Sequence, residues 1–378
     1  MKLTFAPIPR WADFAAVPGG RPVPDRVLAA PWLRHSDEAL WLSRGSWALG
    51  GIVLAWTARR GRPPCVWLPD YFCGQPVRSL AALGAELVFY PLTDTLQPAW
   101  DRCRGIDRPP DIVVLVHYFG VPSNASSARR FASEQRAVLV EDAAHVLRPE
   151  PGVGESGDFV VYSPHKWLAV PDGGILVIRG SAPFAAADVQ AALRSHDSAH
   201  APWLVWLAKR SAQKLPIIST IVALRNSSPA RFLDDPAEGD ALPPLSMSGV
   251  SRRLIARADL DTVASRRQAN ASALEAAMSG LFDGAVAITA RGRVPYRLVL
   301  RCPDSAVASA IYSALRRRGL PVESWPDLPP EVLAHPERHS AAIGRRRSQV
   351  FLPVHQSLAP ELLASTYQSA LRATWSSR

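Results

Sequence analysis

Lysine is scarce in this chain, and the scarcity isolates one residue. Among 378 residues there are four lysines, Lys2, Lys166, Lys209 and Lys214. Lys2 is terminal, and Lys209 and Lys214 fall in a basic amphipathic stretch. Only Lys166 follows an apolar run of the kind that forms a buried strand (159–162) and precedes a glycine turn, Asp172-Gly173-Gly174. Upstream, a second apolar run, VLVED (138–142), ends in Asp142. Taken singly, the lysine would be read as a loop residue and the aspartate as a helix N-cap. Taken together, in this order and spacing, they are an amine that can form an imine and a carboxylate that can keep a pyridine nitrogen protonated. Pyridoxal-5′-phosphate (PLP) chemistry requires that pair, with Lys166 holding the cofactor as a Schiff base.

Such residues need a frame. Apolar runs at 65–68, 86–90, 112–117, 138–141, 159–162 and 174–178 read as strands, and 47–59, 75–83 and 125–135 as helices between them. Strand runs without alternation, separated by helices, predict an α/β fold with a mostly parallel central sheet covered on both faces. Ligands of such sheets sit outside the carboxyl ends of the strands, where Asp142 and Lys166 fall. From 182 to 245 prolines break the pattern. A long helix is expected at 251–280, a strand at 297–301, a helix at 305–318, a Pro-rich loop at 325–336, a strand at 349–354 and a helix at 359–375. The expected division is a large PLP-binding domain, 1–250, with an N-terminal arm and an insertion near 201–245, and a smaller C-terminal α+β domain, 251–378. There is no internal repeat.

EDAAH (141–145), GDFVVYS (157–163) and HKW (165–167) followed by Gly173-Gly174 resemble the DegT/StrS branch of fold-type-I PLP enzymes, best known as sugar aminotransferases. The likeness covers most of the chain. WLSRGSWAL (41–49) is similar to the family's phosphate turn, LPDYFCGQPVRSLAALGAELVFY (68–90) to its next strand, helix and strand, and VHYFGVP (116–122) and LPVHQ (352–356) also have counterparts. The resemblance implies the aspartate-aminotransferase-like fold and a homodimer whose sites draw on both subunits. It gives Lys166 and Asp142 their catalytic roles. It places His145 where the family usually has Gln, against the cofactor ring or its 3′-oxygen. Ser163 falls on the phosphate side, in a shorter S-x-H-K spelling, with His165 beside Lys166, that resembles the desulfurases. Gly45-Ser46-Trp47 opens a helix whose free N–H groups suit a phosphate. The ring-stacking position falls among Tyr71, Phe72 and Cys73.

The resemblance departs at LPPLSMSGVSRR (242–253), where the family's Gly-x-Asn-x-Arg-Met signature is replaced and Ser248 stands as a candidate phosphate contact to a neighbouring subunit. The expected function is transfer of an amino group from an amino acid to a keto or aldehyde acceptor, a sugar or specialised metabolite. The rivals are another PLP reaction (elimination, decarboxylation or a desulfurase-like lyase) and a non-catalytic PLP-binding protein. The net charge of +10 comes almost wholly from dispersed arginines, so a phosphate-bearing cofactor or acidic substrate is expected rather than nucleic acid. Cys65, Cys73, Cys103 and Cys302 form no CxxC pair, and neither a metal site nor a disulfide framework is expected. The N-terminus has no signal-like apolar core, and no run of about 20 apolar residues exists. A cytoplasmic protein without a membrane span follows. Residues 201–224 form a basic, tryptophan-bearing segment, expected to pack over the active-site entrance or a dimer interface rather than lie on a membrane.

Overall fold

The computed structural model describes residues 3–15, 23–34, 36–103, 106–196, 203–214, 231–234, 244–279, 286–288 and 292–375. Its main sheet has seven strands: β1 Glu38–Leu42, β2 Cys65–Pro69, β3 Glu86–Tyr90, β4 Ile112–Val116, β5 Val138–Asp142, β6 Phe159–Tyr162 and β7 Gly174–Ile178. They lie in the order β1-β7-β6-β5-β4-β2-β3. The run from β3 to β6 is parallel, whereas β7 and β1 are antiparallel to their neighbours. Strands β2, β4, β5, β6 and β7 are buried at every residue, which is why their sequences run apolar without alternation. The helix Gly45–Arg60 buries ten of its sixteen residues and stops at Gly61, whose φ of +69° gives the left-handed cap that favours glycine. Helices Gly74–Ala82 and Ala125–Glu134 complete the crossovers.

All eight expected strands form. Two short ones, β1 and β8 (Val286–Ile288), were not anticipated. The expected long helix 251–280 is two, Gly249–Ile255 and Leu260–Met278. Asp259 divides them, because its carboxylate accepts from the N–H groups of Asp261 and Thr262 and so starts a new helix. The Pro-rich loop contains a helical turn, Pro330–Ala334, and the arginine-rich segment beyond it forms the helix Ser340–Ser348.

The second sheet, β10-β9-β8, is antiparallel, with β9 at Leu298–Arg301 and β10 at Gln349–Leu352. Leu298, Leu300, Ile311, Tyr312, Val350 and Tyr367 share its core. Phe351 and Trp325 belong instead to the main core, packed with Tyr71 and Phe119, so this part of the chain closes over the carboxyl edge of the large sheet. In the 201–245 insertion the helix Trp203–Lys214 rests Trp203, Trp206 and Leu207 on the cluster that holds Trp167, Leu168 and Val170. Most of the remaining insertion lies outside the described residues. No helix among the described residues is long and apolar enough to cross a membrane.

Candidate active site

Five strand ends deliver the site, with β1 leading through Ser43 to Arg44, Gly45 and Ser46. Beyond β2 the chain turns through Asp70–Cys73, and beyond β4 through His117–Gly120; β5 ends on Asp142, and β6 leads to Ser163 and the single helical turn Pro164–Trp167 that carries Lys166. One cavity is lined by Arg44, Gly45, Ser46, Phe72, Cys73, Tyr118, Asp142, His145, Ser163, His165, Lys166 and Trp325, among others. The structure therefore brings together the expected lysine, aspartate, two histidines, serine and glycine-led helix start.

The lysine turn is held by backbone bonds. Lys166 N–H donates to Ser163 O (2.9 Å), His165 N–H to Gly173 O (3.2 Å) and Gly173 N–H to Ser43 O (2.8 Å). The side chain of Lys166 puts Nζ 3.3 Å from His145 Nε2. His145 is stacked between Tyr296 (4.4 Å, 12°) and Phe119 (5.5 Å, 20°). Phe119 reaches that position from a left-handed backbone, φ +56°, uncommon for a non-glycine residue. Burial, with the charges of Lys166 and Arg297, pushes His145 well below the usual histidine value. Burial, with Arg44 and Lys166, does the same to His165, although its contact with Gly173 O opposes this. Both imidazoles are thus disfavoured as cations, and His145 Nε2 is the atom that faces Lys166 Nζ. Asp142 accepts one backbone bond, from Ala144 N–H (2.9 Å). Burial raises it above the ordinary carboxylate range, against the opposing charge of Lys166.

These residues fit PLP. The N-cap of the helix Gly45–Arg60, Arg44, makes no side-chain cap bond, which leaves the first N–H groups for an anion. Ser46 Oγ is buried without a partner beside them, and so is His145 Nδ1. A Cβ on Gly45 would stand 2.9 Å from Ser163 Oγ, so the glycine keeps the cradle open.

Several expected contacts fall elsewhere. Trp47 donates its N–H to Arg44 O and buries its ring in the main core. Tyr71 is not on the cavity: Phe72 and Cys73 line it, while Tyr71, fully buried, stacks behind Trp325 at 4.3 Å and donates its hydroxyl to Gln349 Oε1 (3.2 Å). Ser248 is not on the cavity. It caps the helix Gly249–Ile255 by accepting from Ser251 N–H, and its N–H and hydroxyl donate to Asp172 within its own chain. Sequence reading missed Trp325, Tyr296 and Arg44. The first two come from the far part of the chain, and their only signal was an aromatic beside a Pro-rich or strand segment.

Residues 77–206 match the DegT/DnrJ/EryC1/StrS aminotransferase family. Asp142, His145, Ser163 and Lys166 all lie within the matched residues. The resemblance seen in the sequence is borne out, and with it PLP as cofactor and amino transfer as the class of reaction. Solved structures agree in fold over the whole chain. The aminotransferase TlmJ from Streptoalloteichus hindustanus is 22% identical, with a TM-score of 0.69, covering 100% of this chain and 99% of its own. A putative sugar aminotransferase from Streptococcus pneumoniae, in its PMP form, gives 14%, 0.70, 100% and 99%. PseC of Helicobacter pylori, an aminotransferase of pseudoaminic acid biosynthesis, gives 12%, 0.69 and 100% of both chains. The α/β architecture is that of PLP fold type I.

Proposed function

We propose that this aminotransferase takes the amino group of an amino acid, with glutamate or glutamine the first candidates, and delivers it to a keto or aldehyde carbon of a sugar or specialised metabolite. The observation that carries the reading is the convergence of Lys166, Asp142 and a neutral His145 on one cavity beside an uncapped helix N-terminus. When bound, PLP supplies an electron sink for the charge left on the substrate carbon. Lys166 Nζ is placed to anchor the cofactor and, once displaced, to take and return that carbon's proton. The Asp142 carboxylate holds a proton on the ring nitrogen. The N–H groups at Gly45 and Ser46, with the Ser163 hydroxyl, bind the phosphate. His145 Nε2 contacts Lys166 Nζ and so directs it, and His165 ties the lysine turn to Gly173 O.

The family resemblance supports a homodimer, and the scattered cysteines a reducing cytoplasm. The sheets at 38–178 and 286–352 support a division near residue 250. The changed segment 242–253 favours one rival, a lyase-type reaction, because the family's usual acceptor-side signature is absent.

The test uses purified protein loaded with PLP. Borohydride should fix the cofactor on Lys166 and bleach the visible band; a trapped peptide containing Lys209 or Lys214 would sink the site. Amino acids offered singly, without acceptor, should yield one keto acid per site and the aminated cofactor. Ammonia, carbon dioxide or sulfide instead would establish the lyase reading.

A further inference from the structure

Arg267 is fully buried, yet no carboxylate pairs with it among the described residues. Burial, with the neighbouring Arg297 charge, pushes its pKa down to about 9, so it keeps its proton at neutral pH. A buried cation without a counter-charge is costly unless its donors are satisfied. What offsets this is a fork in which each of the three nitrogens donates. Nε donates to Gln356 Oε1 (3.2 Å), Nη1 to Tyr296 O (3.1 Å) and Nη2 to Trp167 O (3.2 Å). The guanidinium also lies 4.5 Å over the Trp167 ring. Gln356 Nε2 donates to the same Trp167 O at 2.9 Å.

The three acceptors are not arbitrary. Trp167 is the peptide neighbour of Lys166. Tyr296 is the ring that backs His145, and its centroid is 6.0 Å from Lys166 Nζ. One rigid planar group, carried by the helix Leu260–Met278, thus spans both supports of the Lys166–His145 contact, and Gln356 braces it from the loop after β10. A lysine could not serve all three acceptors, because its ammonium is a point donor on a flexible stem.

We propose that Arg267, braced by Gln356, is the positioning residue that sets the geometry of Lys166 against His145. The inference rests on the reading of Lys166 as the PLP-bearing amine.

The test compares Arg267→Lys, Arg267→Met and Gln356→Leu with wild type, all full-length and PLP-loaded. Three readouts are taken: far-ultraviolet circular dichroism for the fold, visible circular dichroism of the bound cofactor, and the rate and half-saturation of the donor half-reaction. A misplacement near 1 Å costs on the order of a hundredfold in rate. Both arginine variants should therefore lose roughly tenfold to a hundredfold in rate, with half-saturation within about twofold and an altered visible dichroic band. Gln356→Leu should move the same readouts in the same direction by a smaller factor. Variants that keep the wild-type visible band and rate overturn the proposal, and so does an Arg267→Lys variant equal to wild type, because charge alone would then suffice. Should the arginine variants not fold, Gln356→Leu decides by the same readouts. A wild type without a lysine-bound cofactor refutes the PLP reading itself, an outcome distinct from an unchanged variant.

Discussion

Gly174→Ala should weaken cofactor binding more than its single added methyl suggests. A Cβ at Gly174 would stand 2.5 Å from the carbonyl carbon of Arg44, 2.7 Å from its oxygen and 2.7 Å from Gly45 N. Ordinary contact begins at 3.4 Å, so the two segments must part by about 0.9 Å (3.4 − 2.5). No side chain can rotate aside, since every obstructing atom is backbone. The segments are also tied together, with Leu42 opposite Gly174 in the β1–β7 register and Gly173 N–H bonded to Ser43 O. The displaced piece carries the Gly45 and Ser46 N–H groups assigned to the phosphate. Overpacking of this kind costs about 1–3 kcal/mol of stability. Loss of even one charge-assisted hydrogen bond costs roughly 1.5–3 kcal/mol, or about a tenfold to hundredfold weaker Kd for PLP. Titration of the apoprotein with PLP, followed by the visible band, measures that Kd, and a thermal melt measures the stability term. A Gly174→Ala protein with wild-type melting and a Kd within about twofold of wild type would refute the cradle's placement.

Two further outcomes follow from buried ionisable groups. Asp142→Asn should slow the donor half-reaction by orders of magnitude and yet raise the melting temperature of the apoprotein at neutral pH. The folded-state pKa of Asp142 lies above its unfolded value, so its charged form costs stability above that range; an unchanged or lower melt would contradict this. Acid should act through His145, His165 and His355, all held below the usual histidine value by burial and so protonated more readily in the unfolded chain. Each costs about 1.4 kcal/mol per pH unit below the ordinary value near 6.5. His145→Gln should make the fall of unfolding free energy below that pH shallower, and an unaltered slope would show that His145 is not a buried neutral imidazole.

Where the sequence was readable, the signal was local. Strands buried on both faces announce themselves as unbroken apolar runs, and Lys166 stands out because lysine is rare here and follows one of them. β1 is an edge strand buried only at its last two residues, and β8 has three residues with none buried, so neither shows an unbroken apolar run. Trp325, Tyr296, Arg267 and Gln356 were not legible as site residues, because their roles depend on how the second sheet packs over the first. Tyr71 and Ser248 show a different limit. Position along the chain put both near the site, but side-chain direction was set by packing on Trp325 and a bond to Gln349 for one and by a capping bond for the other.

The neighbours Glu141 and Asp142 show most directly how the fold separates structure from chemistry. Both are acidic, both end β5, and burial alone would raise both. Glu141 accepts from Gly154, Ser156 and Gly157 N–H at 2.6, 2.7 and 2.5 Å. It also takes Nε2–H of His117 at 2.8 Å, a tautomer fixed because His117 Nδ1 accepts from Ser123 N–H. Those donors outweigh burial and hold Glu141 below the ordinary carboxylate range, which makes it a satisfied anchor for the loop between β5 and β6. Asp142, on the opposite side of the same strand, receives one backbone donor and stays raised. A fold that can surround one carboxylate with four N–H groups and leaves its neighbour with one has kept that neighbour's capacity for a proton-bearing ligand. The ring nitrogen assigned to Asp142 is such a ligand.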